Sequence, residues 1–86
     1  MYQVVFTKAA VKHIPYLRAA HLSDKAQTLI EILKTNPYQN PPSYEKLSGD
    51  LSGAYSRRIN RQHRLVYTVD DAQKIVKIVA MWTHYE

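Results

Sequence analysis

Glu45, His84 and an arginine of the cluster Arg57, Arg58, Arg61 and Arg64 are the residues of this 86-residue chain whose types could together do chemistry. A carboxylate can take the proton of a ribose 2′-hydroxyl, which then attacks the adjacent phosphorus. An imidazolium can protonate the departing 5′-oxygen, and a guanidinium can balance the charge growing on the phosphoryl oxygens. Such a set cleaves RNA without a metal and leaves a 2′,3′-cyclic phosphate. These four arginines, of five in the chain, fall within eight residues together with His63. Arginine at this density, on a hairpin rather than a tail, can grip phosphates in a fixed geometry. Each residue also has an ordinary reading, Glu45 as a surface carboxylate and His84-Tyr85 as a frayed terminus.

Other chemistries find less support. His13, His21, His63 and His84 form no HExxH motif and no i, i+4 pair, and there is no cysteine, so neither a metal site nor a disulfide framework is expected. No cofactor is expected either, because no GxGxxG or GxxxxGK[ST] loop occurs; Gly49 and Gly53 read as turn glycines.

The elements that must position these residues follow from patterning. Tyr2 to Phe6 is a β-branched and aromatic run that predicts an opening strand. Thr7 offers an N-cap to a helix over 8–18, with Ala10, Val11, Ile14 and Leu17 at helical spacing and a kink or break expected at Pro15. Lys8, Lys12 and Arg18 lie off that stripe, as a solvated face or as RNA contacts. A second helix over 22–35 is marked by Leu22, Ala26, Leu29, Ile30 and Leu33, with Ser23 or Asp24 as its cap and Asp24 and Gln27 at capping-box spacing. The two helices should form an antiparallel hairpin over one sheet face. Residues 36–43 hold three of the four prolines and read as a connector.

Two alternating stretches follow, 54–60 and 64–69. Pairing Asn60 with Arg64 sets Ile59 opposite Leu65 and Tyr55 opposite Val69 on one face, and sends Arg58 and Arg64 to the other. Lys74 to Trp82 is apolar on both faces and predicts a strand inside the sheet. The order is that of an α+β fold, an N-terminal strand, a two-helix hairpin and an antiparallel three-strand meander, in a single domain spanning 1–86. The net charge of +5 favours a polyanion, either nucleic acid or an acidic protein. With no apolar run long enough to cross a membrane, a soluble cytoplasmic protein is expected.

Leu51 to Tyr67 (Leu-Ser-Gly-Ala-Tyr-Ser-Arg-Arg-Ile-Asn-Arg-Gln-His-Arg-Leu-Val-Tyr), preceded by Tyr44-Glu45-Lys46-Leu47 and followed by His84-Tyr85, closely resembles the YoeB/Txe family of bacterial toxins in the RelE-like superfamily. The match is dense over 44–69 and at the terminus and loose over the helices. The resemblance implies a microbial-RNase-like fold and a ribosome-dependent endonuclease that cuts mRNA in the A site. It assigns the general base to Glu45, the phosphate-stabilising arginine to Arg64, the general acid to His84 and the family's closing tyrosine to Tyr85. Arg58 becomes a substrate contact, while Arg57, Arg61 and His63 serve as solvated charge or ribosomal RNA contacts. Ser48 stands where relatives often carry a substrate-contacting lysine, a contact Lys46 could supply, and Glu86 extends past the usual His-Tyr ending.

The resemblance further implies an acidic antitoxin of the YefM/Axe kind, operator DNA bound only through the toxin-antitoxin complex, and a homodimer as seen among relatives. Two other functions fit the same fold: a non-catalytic toxin that binds a protein such as DNA gyrase, and a plain RNA-binding module. The joint presence of Glu45, Arg64 and His84 favours the enzyme.

Overall fold

A computed structural model describes residues 1–83 as two helices against one five-stranded sheet. The chain runs β1 (Gln3–Phe6), α1 (Lys8–Ala19), α2 (Ser23–Thr35), β2 (Tyr44–Lys46), β3 (Ala54–Arg58), β4 (Arg64–Asp70) and β5 (Ile75–Thr83), with a 3₁₀ turn at Gly49–Leu51. The sheet order is β1-β5-β4-β3-β2. The expected meander is therefore present, flanked by two edges: β1 pairs parallel with β5, and β2, not foreseen as a strand, pairs antiparallel with β3. The α+β expectation holds, with a mixed sheet. Among the described residues no helix is long and apolar enough to cross a membrane.

Both helices lay their apolar stripes on one sheet face. Ala10 and Leu17 from α1 and Ala26, Leu29, Ile30 and Leu33 from α2 meet Leu65 and Tyr67 of β4 and Val76, Ile78 and Met81 of β5. That β5 is apolar on both faces fits its place between β1 and β4. Thr7 caps α1 as its sequence position predicts: its Oγ1 accepts the Ala10 N–H at 3.1 Å. Of the kink or break expected at Pro15, the break does not occur, and α1 continues to Ala19. Val11, whose carbonyl loses its usual donor, is 51% exposed, so water can replace the bond. Helix α2 also departs from its expected cap. Leu22 occupies the N-cap with no side-chain bond, its own side chain buried, and Gln27 donates to Glu31 rather than closing a capping box.

The β3–β4 register differs by two residues from the one the alternation suggests. Arg58 faces Arg64, Arg57 faces Leu65 and Tyr55 faces Tyr67. The cause is Asn60, whose side-chain carbonyl accepts the N–H groups of Gln62 and His63 at 2.9 and 2.7 Å, so Asn60 turns the hairpin instead of extending it. Because the slip is an even number, every side chain keeps its face.

Two features pin the far end of β5. Register shifts against β4 between Arg64 and Tyr67 add residues to β5, so Arg64 lies opposite Thr83 although Asp70 lies opposite Ile75. Beyond Ile78, where β1 ends, α1 supplies the missing partners: Thr7 Oγ1 donates to the Val79 carbonyl at 2.8 Å, and His13 Nδ1 accepts the Met81 N–H at 3.1 Å. At the opposite end, the Asp71 carboxylate accepts hydroxyl protons from Tyr2 and Tyr38 at 2.7 and 2.8 Å.

Candidate active site

The sheet face turned away from the helices carries the charged residues. On β3, Tyr55 and Arg57 point toward the helix side, so Ala54, Ser56 and Arg58 point out, and β4 sends Arg64, Val66 and Thr68 the same way. Strand β2 joins this face through a single residue. Glu45 pairs with Ser56 and points out, while its neighbours Tyr44 and Lys46 pair with Arg57 and Tyr55 and point in.

Glu45 and Arg64 meet there. Arg64 Nη1 lies 3.5 Å from Glu45 Oε1 and 3.4 Å from Ser56 Oγ. The Arg64 side chain is 20% exposed and that of Glu45 64%. Arg64 is thus held by the sheet, whereas Glu45 remains open to solvent with a free second oxygen among the described contacts. Arg58 stands directly opposite Arg64 and is exposed. Two guanidinium groups side by side with one carboxylate leave the patch net positive, suited to an anionic ligand with several oxygens. His84 and Tyr85, the expected acid and closing tyrosine, lie outside the described residues, as does Glu86. The strand that leads to them does not: Thr83 is the residue opposite Arg64.

Two expected nucleic-acid contacts, Arg57 and His63, are buried by the fold. Arg57 is not solvated but 0% exposed. Its Nε donates to the Tyr67 hydroxyl at 3.2 Å, its Nη2 to the carbonyls of Pro37 and Gln39, each at 2.9 Å, and its Nη1 to the Pro42 carbonyl. His63 is buried as well, its ring stacked on Trp82 with centroids 3.7 Å apart and planes 15° apart. Its residue closes the hairpin, since its carbonyl accepts the Ile59 N–H. Lys46 is exposed but lies on the face opposite Glu45, which leaves it poorly placed to stand in for the lysine that Ser48 replaces. Arg61 is exposed at the hairpin tip, as solvated charge requires.

Electrostatics near the end of β5 come from His13. Partial burial lowers its pKa, favouring the neutral ring whose Nδ1 can accept the Met81 N–H. The aromatic groups beside it are Tyr16, with ring centroids 6.3 Å apart, and then Trp82, 5.7 Å from Tyr16. Sequence patterning did not single out His13 or Thr7 as supports for β5. The signal available was only that both flank the polar side of a stripe facing the sheet.

Comparison with known proteins identifies relatives of this chain. A family model described as the YoeB-like toxin of bacterial type II toxin-antitoxin systems matches residues 6–85. The chain is 37% identical over 65 residues to toxin YoeB of Synechocystis, covering 76% of this chain and 73% of that one. It superposes on the YoeB/ParE toxin from Agrobacterium tumefaciens with a TM-score of 0.86 at 28% identity, covering 96% of this chain and 99% of that one. It also superposes on a chain of the YoeB-YefM complex from Staphylococcus aureus, with a TM-score of 0.80 at 34% identity over 99% of each chain. A YoeB dimer from the same organism gives the same score and identity over 98% of each. With the RelE-like fold and a family match over nearly its whole length, the chain belongs to the YoeB-like toxins of bacterial type II toxin-antitoxin systems.

Proposed function

We propose that this toxin is a ribosome-dependent endoribonuclease that cleaves mRNA in the A site by acid-base catalysis, stopping translation. One observation carries the reading: the Glu45 carboxylate and the Arg64 guanidinium lie 3.5 Å apart on the sheet face turned away from the helices, with a second arginine, Arg58, opposite Arg64. A plain phosphate-binding patch has no use for a carboxylate at its centre, since it repels the ligand. A nuclease needs one as the base.

In this reading Glu45 takes the proton of a 2′-hydroxyl. The 2′-oxygen attacks the adjacent phosphorus, the bond from phosphorus to the 5′-oxygen breaks, and the leaving oxygen takes a proton from His84. Arg64 lies beside the position where charge builds on the non-bridging oxygens, and Arg58 holds a neighbouring phosphate. Tyr85 is the fourth residue of the proposed catalytic set. The products are a 2′,3′-cyclic phosphate and a free 5′-hydroxyl. Isolated RNA is flexible, so a ribosome that presents the codon in a bent, in-line conformation would supply the orientation that so small a site cannot.

The structures of relatives with YefM and as a dimer support two partners for this chain, an acidic antitoxin that covers the basic face and a second copy of itself. A cytoplasmic location follows from a ribosomal target.

Primer extension on mRNA translated in vitro tests the reading. The wild type is expected to give cuts phased with A-site codons, while Glu45→Gln, Arg64→Ala and His84→Gln give none yet still co-purify with the antitoxin. Intact message accompanied by supercoiling defects would instead make the chain a gyrase-directed toxin.

A further inference from the structure

The geometry points to Arg57 as the positioning residue that holds Glu45 in place, an inference that rests on Glu45 being the base. Arg57 is the largest fully buried side chain described, and its charge is unusual for its surroundings. Its described partners are the carbonyls of Pro37, Gln39 and Pro42 and the hydroxyl of Tyr67, with no carboxylate among them. Tyr67 adds a second tie by donating to the same Pro37 carbonyl at 2.9 Å. Burying a cation without a counter-ion is costly, so the guanidinium must do something that an apolar residue cannot.

What it does is organise the connector. Residues 36–43 lie outside the helices and strands, and prolines at 37, 41 and 42 remove the N–H groups that would otherwise fix the backbone. Its carbonyls therefore have few partners of their own. A planar fork with five donors can collect several of them at once, which an ammonium on a flexible stem cannot do with the same geometry. The Tyr44 ring closes over the fork, 4.8 Å from Cζ.

The consequence reaches Glu45 along the chain. Pro42 is tied to the fork, Tyr44 covers it, and Glu45 is the next residue, pointing to the opposite face. Strand β2 is three residues long and lies at the sheet edge, so its own ladder with β3 holds it weakly. Arg57 supplies the missing rigidity from inside, while Glu45 stays solvent-exposed and ready to meet RNA. Arg57 touches no substrate in this role.

The test is Arg57→Lys, which keeps the charge and loses the fork, assayed as cleavage on programmed ribosomes. The expected result is a loss of about 10²-fold in kcat, as follows from misplacing a catalytic group by about 1 Å, with KM and antitoxin affinity within about twofold of wild type. A raised KM with kcat unchanged would make Arg57 an RNA contact and overturn the inference. So would a folded variant that cleaves at the wild-type rate. If Arg57→Lys loses its native circular dichroism spectrum, Tyr67→Phe decides: removing the shared hydroxyl should lower kcat several-fold at constant KM, and an unchanged kcat refutes the role. Combining Arg57→Lys with Glu45→Gln, followed as slow single-turnover cleavage too weak to register in primer extension, separates this inference from the one beneath it. No further loss beyond Glu45→Gln alone supports action through Glu45, and a full additional loss overturns it. Full activity of Glu45→Gln by itself would mean that Glu45 is not the base, whatever Arg57 does.

Discussion

Arg58 and Arg64 stand directly opposite each other across β3 and β4, a placement that should cost stability. Opposed residues in an antiparallel pair have Cβ atoms about 5 Å apart, and like charges there are unfavourable by up to about 1 kcal/mol. Glu45 offsets part of this from Arg64's side, but its side chain is 64% exposed and 3.5 Å away, so the compensation is partial. Replacing Arg58 by Gln keeps a long polar side chain and removes the repulsion, for a gain of about 0.5 kcal/mol. In a domain of this size that gain raises Tm by about 2–4 °C. The assay is thermal unfolding followed by circular dichroism at about 0.05 M and about 1 M salt. At the higher salt the Debye length falls to about 3 Å, so the difference between variant and wild type should close. Arg61→Gln, at the hairpin tip with no arginine opposite, should leave Tm unchanged. A melting point for Arg58→Gln at or below that of wild type, or a gap that persists at high salt, would refute the reasoning. The same variant should bind RNA more weakly, so stability and ligand affinity move in opposite directions.

Thr7→Ala removes both a helix cap and the donor to the Val79 carbonyl, so it should destabilise by about 2 kcal/mol in urea unfolding, whereas Thr7→Ser, which keeps the hydroxyl, should cost much less. His13 carries a pH dependence of known sign. Its folded pKa lies below the unfolded value of 6.5, so the unfolded chain binds the proton first as pH falls. The contribution is complete above that value and is lost as pH drops from it toward the folded pKa. The urea midpoint of the wild type should therefore fall between pH 7.5 and 5.5 more steeply than that of His13→Gln, and parallel profiles would show that His13 does not sense pH.

Local patterning made much of this fold legible. The helix stripes, the Thr7 cap and the central place of β5 follow from short-range periodicity, which depends only on near neighbours in the chain. The face of each arginine was legible for the same reason, and a two-residue slip caused by the Asn60 turn left it unchanged. Alternation had already set Arg57 on the side of Tyr55 and Ile59; its burial was missed because a charged side chain is ordinarily assigned to solvent. What could have revealed it is the proline-rich connector, whose carbonyls need donors from elsewhere. Strand β2 was not legible, since three residues between turns have no period to read. With it went the reason that Glu45 and Arg64 meet, because only the β2–β3 register puts Glu45 beside Ser56. Lys46 illustrates the same gap: adjacent in sequence to Glu45, it lies on the opposite face once the strand is known. The β5 register shifts depend on packing against β4 and α1 and leave no mark in composition.

Strand β5 runs five residues past the end of its neighbour β1, a bare edge that in most sheets invites another chain to add a strand. Here the edge is occupied from within: one hydroxyl takes the Val79 carbonyl, and one imidazole takes the Met81 amide. Residues that read as helix furniture therefore also guard this one edge against strand addition. Loss of either side chain would expose a strand edge ready to pair with another chain.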